Sequence, residues 1–416
     1  MFNRISMLFS IALAFALLFT SCKKDDDEPS GPLVEDGFYI VGEATALSEV
    51  TPKGKMSITR NEVIQEDRSS LLDIYVAVKA GSNGFSIQEV AGANTISYGP
   101  GSDFAKVSAE EVGAEEPTEG LYKGSFAASD SKFTVDENGL YHVTLDKELK
   151  KVAVAKVEWG VIGSATPGKW STSTQLAEGT FDLNKITFKG EEIKMSKSEF
   201  KFRYSNGWKI VLDSTLQLEG SDKGVKVNTN YGGSITELVP GGDNIIMDPS
   251  GYYTIEMKWD LNNGTSASFT KTADIQIKDW SNISFDVFGT GVDDTDPNAV
   301  VDASSWGWGY AISAGTPTVD GSVTEGAKFT YTWTGIKLKK ADGDGFGLRS
   351  VEGGEYNGSV LRYSALDEAN SSGVSVTTNG FGDNNMNVDS DGLYDVTLVI
   401  DAADDDKATV TVVPSI

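Results

Sequence analysis

The sequence predicts an all-β protein, a tandem row of antiparallel β-sandwiches carried behind an export leader. Three observations lead there. Glycine is abundant (45 of 416 residues), and the apolar residues fall in short β-branched and aromatic runs with no long helical period. Those runs alternate at period two between Gly, Asn and Asp turns. One turn-and-strand signature recurs three times at the spacing of a domain, too long for a solenoid repeat.

Residues 1–21 read as a lipoprotein signal peptide. Arg4 supplies the positive start, Leu8 to Phe19 the apolar run, and Leu18-Phe19-Thr20-Ser21 leads small residues into Cys22, the single cysteine of the chain. A membrane-spanning helix needs about 20 apolar residues; this run is shorter and ends in a cleavage pattern. One cysteine forms no internal disulfide, and cleavage before Cys22 with acylation of its sulfur accounts for it. Residues 22–33 are then the lipidated cysteine and an acidic tether. Its start, Lys23-Lys24-Asp25-Asp26-Asp27-Glu28, resembles the lysine-acidic export signal of surface lipoproteins of Bacteroidetes. The expected location is the outer membrane, lipid-anchored and exposed on the cell surface. A periplasm-facing anchor is the other reading of the same solvated tether.

Composition limits the partners. The formal net charge of −26 supplies no basic footprint for phosphate, so no nucleic acid partner is expected. A polyanionic glycan is disfavoured less strongly, since a local basic site can survive on an acidic protein.

The repeats set the units. Each closes on an acidic turn ending in glycine and an alternating strand: Gly139-Leu-Tyr141-His-Val143, Gly251-Tyr-Tyr253-Thr-Ile255 and Gly392-Leu-Tyr394-Asp-Val396. A further strand follows each time and makes a hairpin. Upstream, Phe85-Ser-Ile87, Phe200-Lys-Phe202-Arg-Tyr204 and Phe346-Gly-Leu348 run a turn into a strand. The openings Phe38-Tyr-Ile-Val-Gly42 and Trp159-Gly-Val-Ile-Gly163 match, with Trp308-Gly-Tyr-Ala-Ile312 as a looser third copy. Several short strands within about 115 residues predict a two-sheet sandwich for each unit. The boundaries drawn are 34–156, 157–272 and 273–416.

Three stretches of the middle unit, Trp159-Gly-Val-Ile-Gly-Ser-Ala-Thr-Pro-Gly-Lys-Trp170, Phe202-Arg-Tyr-Ser-Asn-Gly-Trp208 and Gly241-Gly-Asp-Asn-Ile245, resemble the SusE and SusF group of starch-binding outer-membrane lipoproteins. The resemblance implies a row of immunoglobulin-like sandwiches on the cell surface, non-catalytic, binding polysaccharide beside a SusC-like TonB-dependent transporter and a SusD-like lipoprotein. The first unit has no tryptophan and resembles the N-terminal spacer module of that group. The glycan itself is left open.

Sugar rings stack their C–H faces on flat aromatic platforms, while their hydroxyls need polar partners. All eight tryptophans follow residue 157, which places binding in the second and third units. Alternation assigns Trp159, Trp259 and Trp333 to core. Trp170, Trp208, Trp280 and Trp306 sit among polar or turn residues and are expected outside, and Trp308 fits either reading. Tyr231 and Tyr356 are candidate secondary platforms; Arg203, Arg349 and Arg362 are candidate polar partners, with Lys169 and Lys209 close in sequence.

Catalysis has little to stand on. His142, the only histidine, lies within a strand between Tyr141 and Val143, which excludes a His-rich zinc site and any serine triad not built on it. A glycosidase needs only two carboxylates, so a cryptic polysaccharide-cleaving enzyme and a non-binding structural component of the import complex stay open as alternatives. No cofactor is expected. The acidic turns Asp293 to Asn298 and Asp342 to Phe346 offer clustered oxygens but do not fit a calcium-loop spacing, and no metal site is assigned to them.

Overall fold

The computed structural model describes residues 34–416 except positions 82, 219, 221, 303–307, 342, 352–359, 362–365, 368–369 and 379–383, so the leader, Cys22 and most of the tether lie outside the described residues. The described chain is all-β, its strand ladders are antiparallel, and one 3-10 turn, Pro52–Gly54, interrupts them. No helix among the described residues is long and apolar enough to cross a membrane.

The N-terminal strands depart from the expected pair of sheets: they form one nine-stranded sheet. The cause is the strand Leu121–Ala128. Its first half pairs with Lys151–Lys156 and its last residues pair with Asn94–Pro100, so one strand joins what would have been two sheets. Gly124 sits at the switch, where a Cβ would collide with the backbone of Phe104. The sheet folds on itself over a core containing Phe38, Ile40, Val78, Phe85, Tyr141 and Val143.

Between residues 159 and 273 two sheets face one another. One orders Thr174–Gln175, Trp159–Ile162, Glu199–Tyr204, Asn230–Gly233 and Leu238–Pro240, with Ile245–Ile246 added beside Glu199–Tyr204; the other orders Ala177–Glu178, Lys185–Met195, Gly251–Asp260 and Gly264–Ala273. The C-terminal strands repeat the plan. Val300–Val301, Tyr310–Ser313, Ser284–Gly289, Phe346–Val351, Asn384–Asn387 and Ser375–Thr378 form one sheet, with Val360–Leu361 beside Phe346–Val351; Thr318–Asp320, Lys328–Leu338, Gly392–Asp401 and Asp404–Pro414 form the other.

The repeated sequence signatures have structural causes. In the closing motif, the hydroxyls of Tyr141, Tyr253 and Tyr394 each donate to the carbonyl four residues earlier, at 2.8, 2.6 and 2.7 Å, which ties the turn to the strand it feeds. In the opening motif, a Cβ on Gly42 or Gly163 would overlap the backbone at Phe85 or Phe200. The third glycine making this approach, to Gly345 and Phe346, is Gly289. The third opening is therefore Phe285-Asp-Val-Phe-Gly289, which corrects the match to Trp308–Ile312; its conserved element is the glycine, while the tryptophan is replaced by Phe285.

Both later units also share a bulge. The strand Lys185–Met195 shifts register between Gly190 and Ile193, and Lys328–Leu338 between Trp333 and Ile336. The extra residue is left-handed in each, Glu192 (φ 52) and Gly335 (φ 60).

The N-terminal sheet and the middle sandwich share one core. Leu71, Ala77, Leu140 and Ala155 pack in the same cluster as Trp159, Phe202 and Tyr204. A buried polar relay crosses the join: His142 Nδ1 lies 2.8 Å from the Tyr204 hydroxyl and Nε2 lies 3.0 Å from Asp73, while Tyr75 stacks on the imidazole with ring centroids 4.1 Å apart.

Two stability outcomes follow. Glu192→Gly removes the strain of a Cβ in the left-handed conformation and raises the unfolding free energy by about 1 kcal/mol, whereas Gly335→Ala lowers it by a similar amount; urea melts that move in the opposite senses would refute a strained bulge. Tyr204→Phe strips the partner from buried His142 Nδ1 and lowers stability by about 1–3 kcal/mol, and an unchanged denaturation midpoint would show that the relay holds nothing.

Candidate functional site

The residues that converge lie on one end of the middle sandwich. Residues 163–173 form a self-bonded loop: Gly163 N–H donates to Lys169 O (2.9 Å), Lys169 N–H to Thr166 O (3.0 Å), and the Thr166 hydroxyl to Gly163 O (3.0 Å). Lys169 turns the chain at φ 50. The next residue, Trp170, is thrown outward, 40% exposed, with its Nε1–H bonded to Ser164 Oγ at 2.8 Å.

Trp208 arrives from the opposite side. Ser205 (φ 46) and Asn206 (φ 57) form the centre of a turn closed by Gly207 N–H to Tyr204 O at 2.9 Å, the pattern of a type I′ turn. Gly207 leaves room for the N-terminal unit, since a Cβ there would come 2.6 Å from the Pro117 nitrogen. The backbone N–H groups of Trp208 and Lys209 both donate to Glu115 O, at 2.6 and 2.8 Å. Gln175 Nε2 holds Asn206 Oδ1 at 3.1 Å and latches the turn to the sheet.

The two indoles thus stand side by side, ring centroids 6.4 Å apart and tilted by 32°. Arg203 lies behind them. It is 8% exposed; its guanidinium sits 4.8 Å from the centre of the Trp208 ring and its Nε–H donates to Ser173 Oγ at 2.8 Å. Burial pulls its pKa downward, though an arginine stays charged. No carboxylate among the described residues pairs with it, so its terminal N–H groups remain available to hydroxyls.

Register explains this. Arg203 stands opposite Gly160, which has no side chain to meet it. The position aligned with it by the glycine contact is Arg349, which stands opposite Asp286. Arg349 is 4% exposed and held by Asp302 at 3.1 and 3.2 Å and by Asp286 at 3.6 Å, over the face of Phe288. The expectation that Arg349 meets ligand is corrected: its charge is neutralised inside the fold.

Two further expectations are corrected. Trp280 is 1% exposed, because Asp279 accepts the Ser281 N–H at 2.9 Å and this turn directs the indole inward against Phe285 beneath Lys278. Tyr231 is 8% exposed; Asn230-Tyr-Gly-Gly is a strand rather than a turn, and the ring packs between Trp159 and Tyr75. Trp308 is half-buried, edge-on to Phe288 at 5.1 Å. Trp306, Tyr356 and Arg362 lie outside the described residues. Trp159, Trp259 and Trp333 are buried, as their alternation predicts.

Beside Trp208 opens a pocket of about 380 Å³ that sequence reasoning missed. Glu62, Gln65 and Glu115 line it from the N-terminal unit, and Lys201, Trp208, Lys209, Asn228 and Asn230 from the middle one. Its walls come from segments far apart in sequence, brought together by the pairing of Asn61 with Gly224 and Lys226 and by the bonds of Trp208 and Lys209 to Glu115. The acidic turn at Asp293 proves structural: Asp293 accepts Thr295 N–H at 2.7 Å, and Asp296 accepts Lys337 N–H at 2.7 Å beside the bulge. Among the described residues no three His, Cys, Asp or Glu side chains group as a metal site.

No protein-family profile and no curated protein matches the chain. Among solved structures, the crystal structure of SusF from Bacteroides thetaiotaomicron aligns over 91% of this chain and 73% of its own, at 14% identity and a TM-score of 0.19. A likeness that low carries no argument about the site.

Trp280→Ala opens a core cavity and destabilises the protein by about 3–5 kcal/mol, whereas Trp170→Ala stays within about 0.5 kcal/mol of the parent. Chemical denaturation of both variants checks the assignment, and the reverse order of midpoints would overturn it.

Proposed function

We propose that this chain is a polysaccharide-binding lipoprotein of the cell surface, which holds glycan on the Trp170 and Trp208 indoles and hydrogen-bonds its hydroxyls through Arg203. The observation that carries the reading is the paired indoles with an arginine beside them whose charge no carboxylate among the described residues answers. Apolar sugar faces gain burial and polarised C–H contact on such a surface, and the neighbouring N–H groups satisfy edge hydroxyls that would otherwise lose water. The protein contributes recognition without chemistry.

Its setting, in this reading, is the one implied by the sequence resemblance: an outer-membrane anchor at Cys22 and delivery of captured polysaccharide to a SusC-like transporter with its SusD-like partner. In this reading the units at 34–156 and 157–272, which share a core, act together, and the unit at 273–416 follows as a further sandwich. A non-binding structural component is the second reading, and the burial of Trp280 and Arg349 favours it for the C-terminal unit. The exposed Trp170 opposes it for the middle one.

Affinity electrophoresis through gels containing neutral and acidic polysaccharides tests the proposal. At least one glycan should retard the protein, and Trp170→Ala should weaken that retardation by about tenfold or more with its thermal unfolding unchanged. Retardation that survives Trp170→Ala and Trp208→Ala together would remove the site from the reading.

A further inference from the structure

The pocket between the N-terminal and middle units differs in chemistry from the aromatic pair beside it. Its two carboxylates are already engaged: Glu62 by Arg60 at 2.9 Å and Glu115 by Lys226 at 2.7 Å. The Lys226 bond pulls the Glu115 carboxyl below its ordinary value, so it stays ionised and paired. Its two ammonium groups are not so engaged. Lys201 Nζ donates to two neutral acceptors, Gly242 O and Asn230 Oδ1, and burial pushes its pKa down. Asp243 and Glu62 act on Lys201 only through space and Arg60 opposes them, and no carboxylate among the described residues lies within ion-pair distance of Lys201 or Lys209.

We infer that this pocket is a second subsite, shared by the two units, that takes an anionic sugar residue, carboxylated or sulfated, of a glycan lying on Trp170 and Trp208. Lys201 and Lys209 supply the counter-charge from the middle unit. The Asn228 amide, whose nitrogen crowds the glycine position at 241, and Gln65 supply neutral polar groups for the sugar's remaining oxygens. The volume of about 380 Å³ has room for one or two sugar rings. Trp208 borders both the pocket and the Trp170 pair, so a single chain can pass from stacking surface to pocket without leaving the protein. The N-terminal unit, in this arrangement, is part of the binding site and more than a spacer.

The inference rests on the glycan-binding reading, and the test separates the two. The purified protein is run through gels containing polygalacturonate, a sulfated galactan, or neutral amylopectin and galactan, at low and high salt. The expected result is stronger retardation by at least one of the acidic polymers than by either neutral one, weakened by salt. Lys209→Gln should reduce the acidic affinity by about tenfold and leave any neutral retardation unchanged; Lys201→Met should do the same, and Lys209→Gln, at a half-buried position, keeps the test open if Lys201→Met fails to fold. Polygalacturonate against the sulfated polymer decides which anion is taken. Equal retardation by acidic and neutral polymers, or a Lys209→Gln protein that binds acidic polymer like the parent, overturns the anionic subsite while glycan binding stands. Retardation by none of the polymers overturns both.

Discussion

The backbone around Glu115 and Glu116 is the constraint on which the site depends. Glu115 O accepts the N–H groups of both Trp208 and Lys209, and the buried Glu116 carboxylate accepts the Val211 N–H at 3.0 Å while paired to Lys123 at 2.7 Å. Lys123 Nζ reaches on to Val211 O at 3.3 Å. After Tyr204 the chain of the middle unit enters a separate two-stranded sheet, Lys209–Gln217 with Lys223–Asn228, whose start is bonded by the neighbouring unit. Separating the two would strand a buried carboxylate and several backbone donors, each costing about 1–3 kcal/mol. That penalty holds Trp208 still. On the proposed reading, a platform whose backbone is fixed in this way has less to order when a sugar meets it.

The two later sandwiches show how one register position can have opposite fates. Arg203 and Arg349 occupy the same place relative to the opening glycine, each with an aromatic ring beneath the guanidinium. Opposite one is Gly160 and opposite the other Asp286. The arginine facing glycine finds the Ser173 hydroxyl but no carboxylate among the described residues; the arginine facing aspartate, with Asp302 added, finds its counter-charge within the fold. Burial raises the Asp286 pKa even though Arg349 pulls it down, which shows how dry that triad is. The strand plan is shared by both units, and two aspartates, Asp286 on the neighbouring strand and Asp302, separate a closed ion pair from an unpaired cation.

The all-β class and the repeated elements were legible because their causes are local. The Gly-x-Tyr closing motif is visible as letters since the tyrosine bonds a carbonyl only four residues away. The opening glycine is legible in two copies, and the third is hidden because it lacks the tryptophan, whereas the constraint is the backbone approach that Gly289 makes to Gly345 and Phe346. Trp170 and Trp208 were legible through their turn residues. Trp280 and Tyr231 misled for the same reason: polar or glycine neighbours mark a turn or strand end and do not say which way the ring points. The nine-stranded continuity of the N-terminal sheet and the pocket beside Trp208 left no mark in the sequence, since both arise from pairings between residues more than a hundred positions apart or from one strand shared between two partners.

An anionic ligand in the pocket, as proposed, is compatible with a formal charge of −26. At physiological salt an exposed charge is largely screened beyond about 8 Å, so most of the acidic residues spread over the surface contribute little inside a concave site. What counts is the set of groups on its walls and whether each already has a partner. Glu62 and Glu115 have theirs, and the Arg60 charge beside Glu62 opposes its pull on Lys201. Lys201 is held only by a carbonyl and an amide, in surroundings dry enough to disfavour its charge. A desolvated ammonium without a counter-ion is a standing electrostatic cost to the free protein, and an incoming carboxylate or sulfate relieves it. The acidic exterior then acts on kinetics and selectivity, slowing the approach of any polyanion that cannot offer a sugar face to the indoles at the same time.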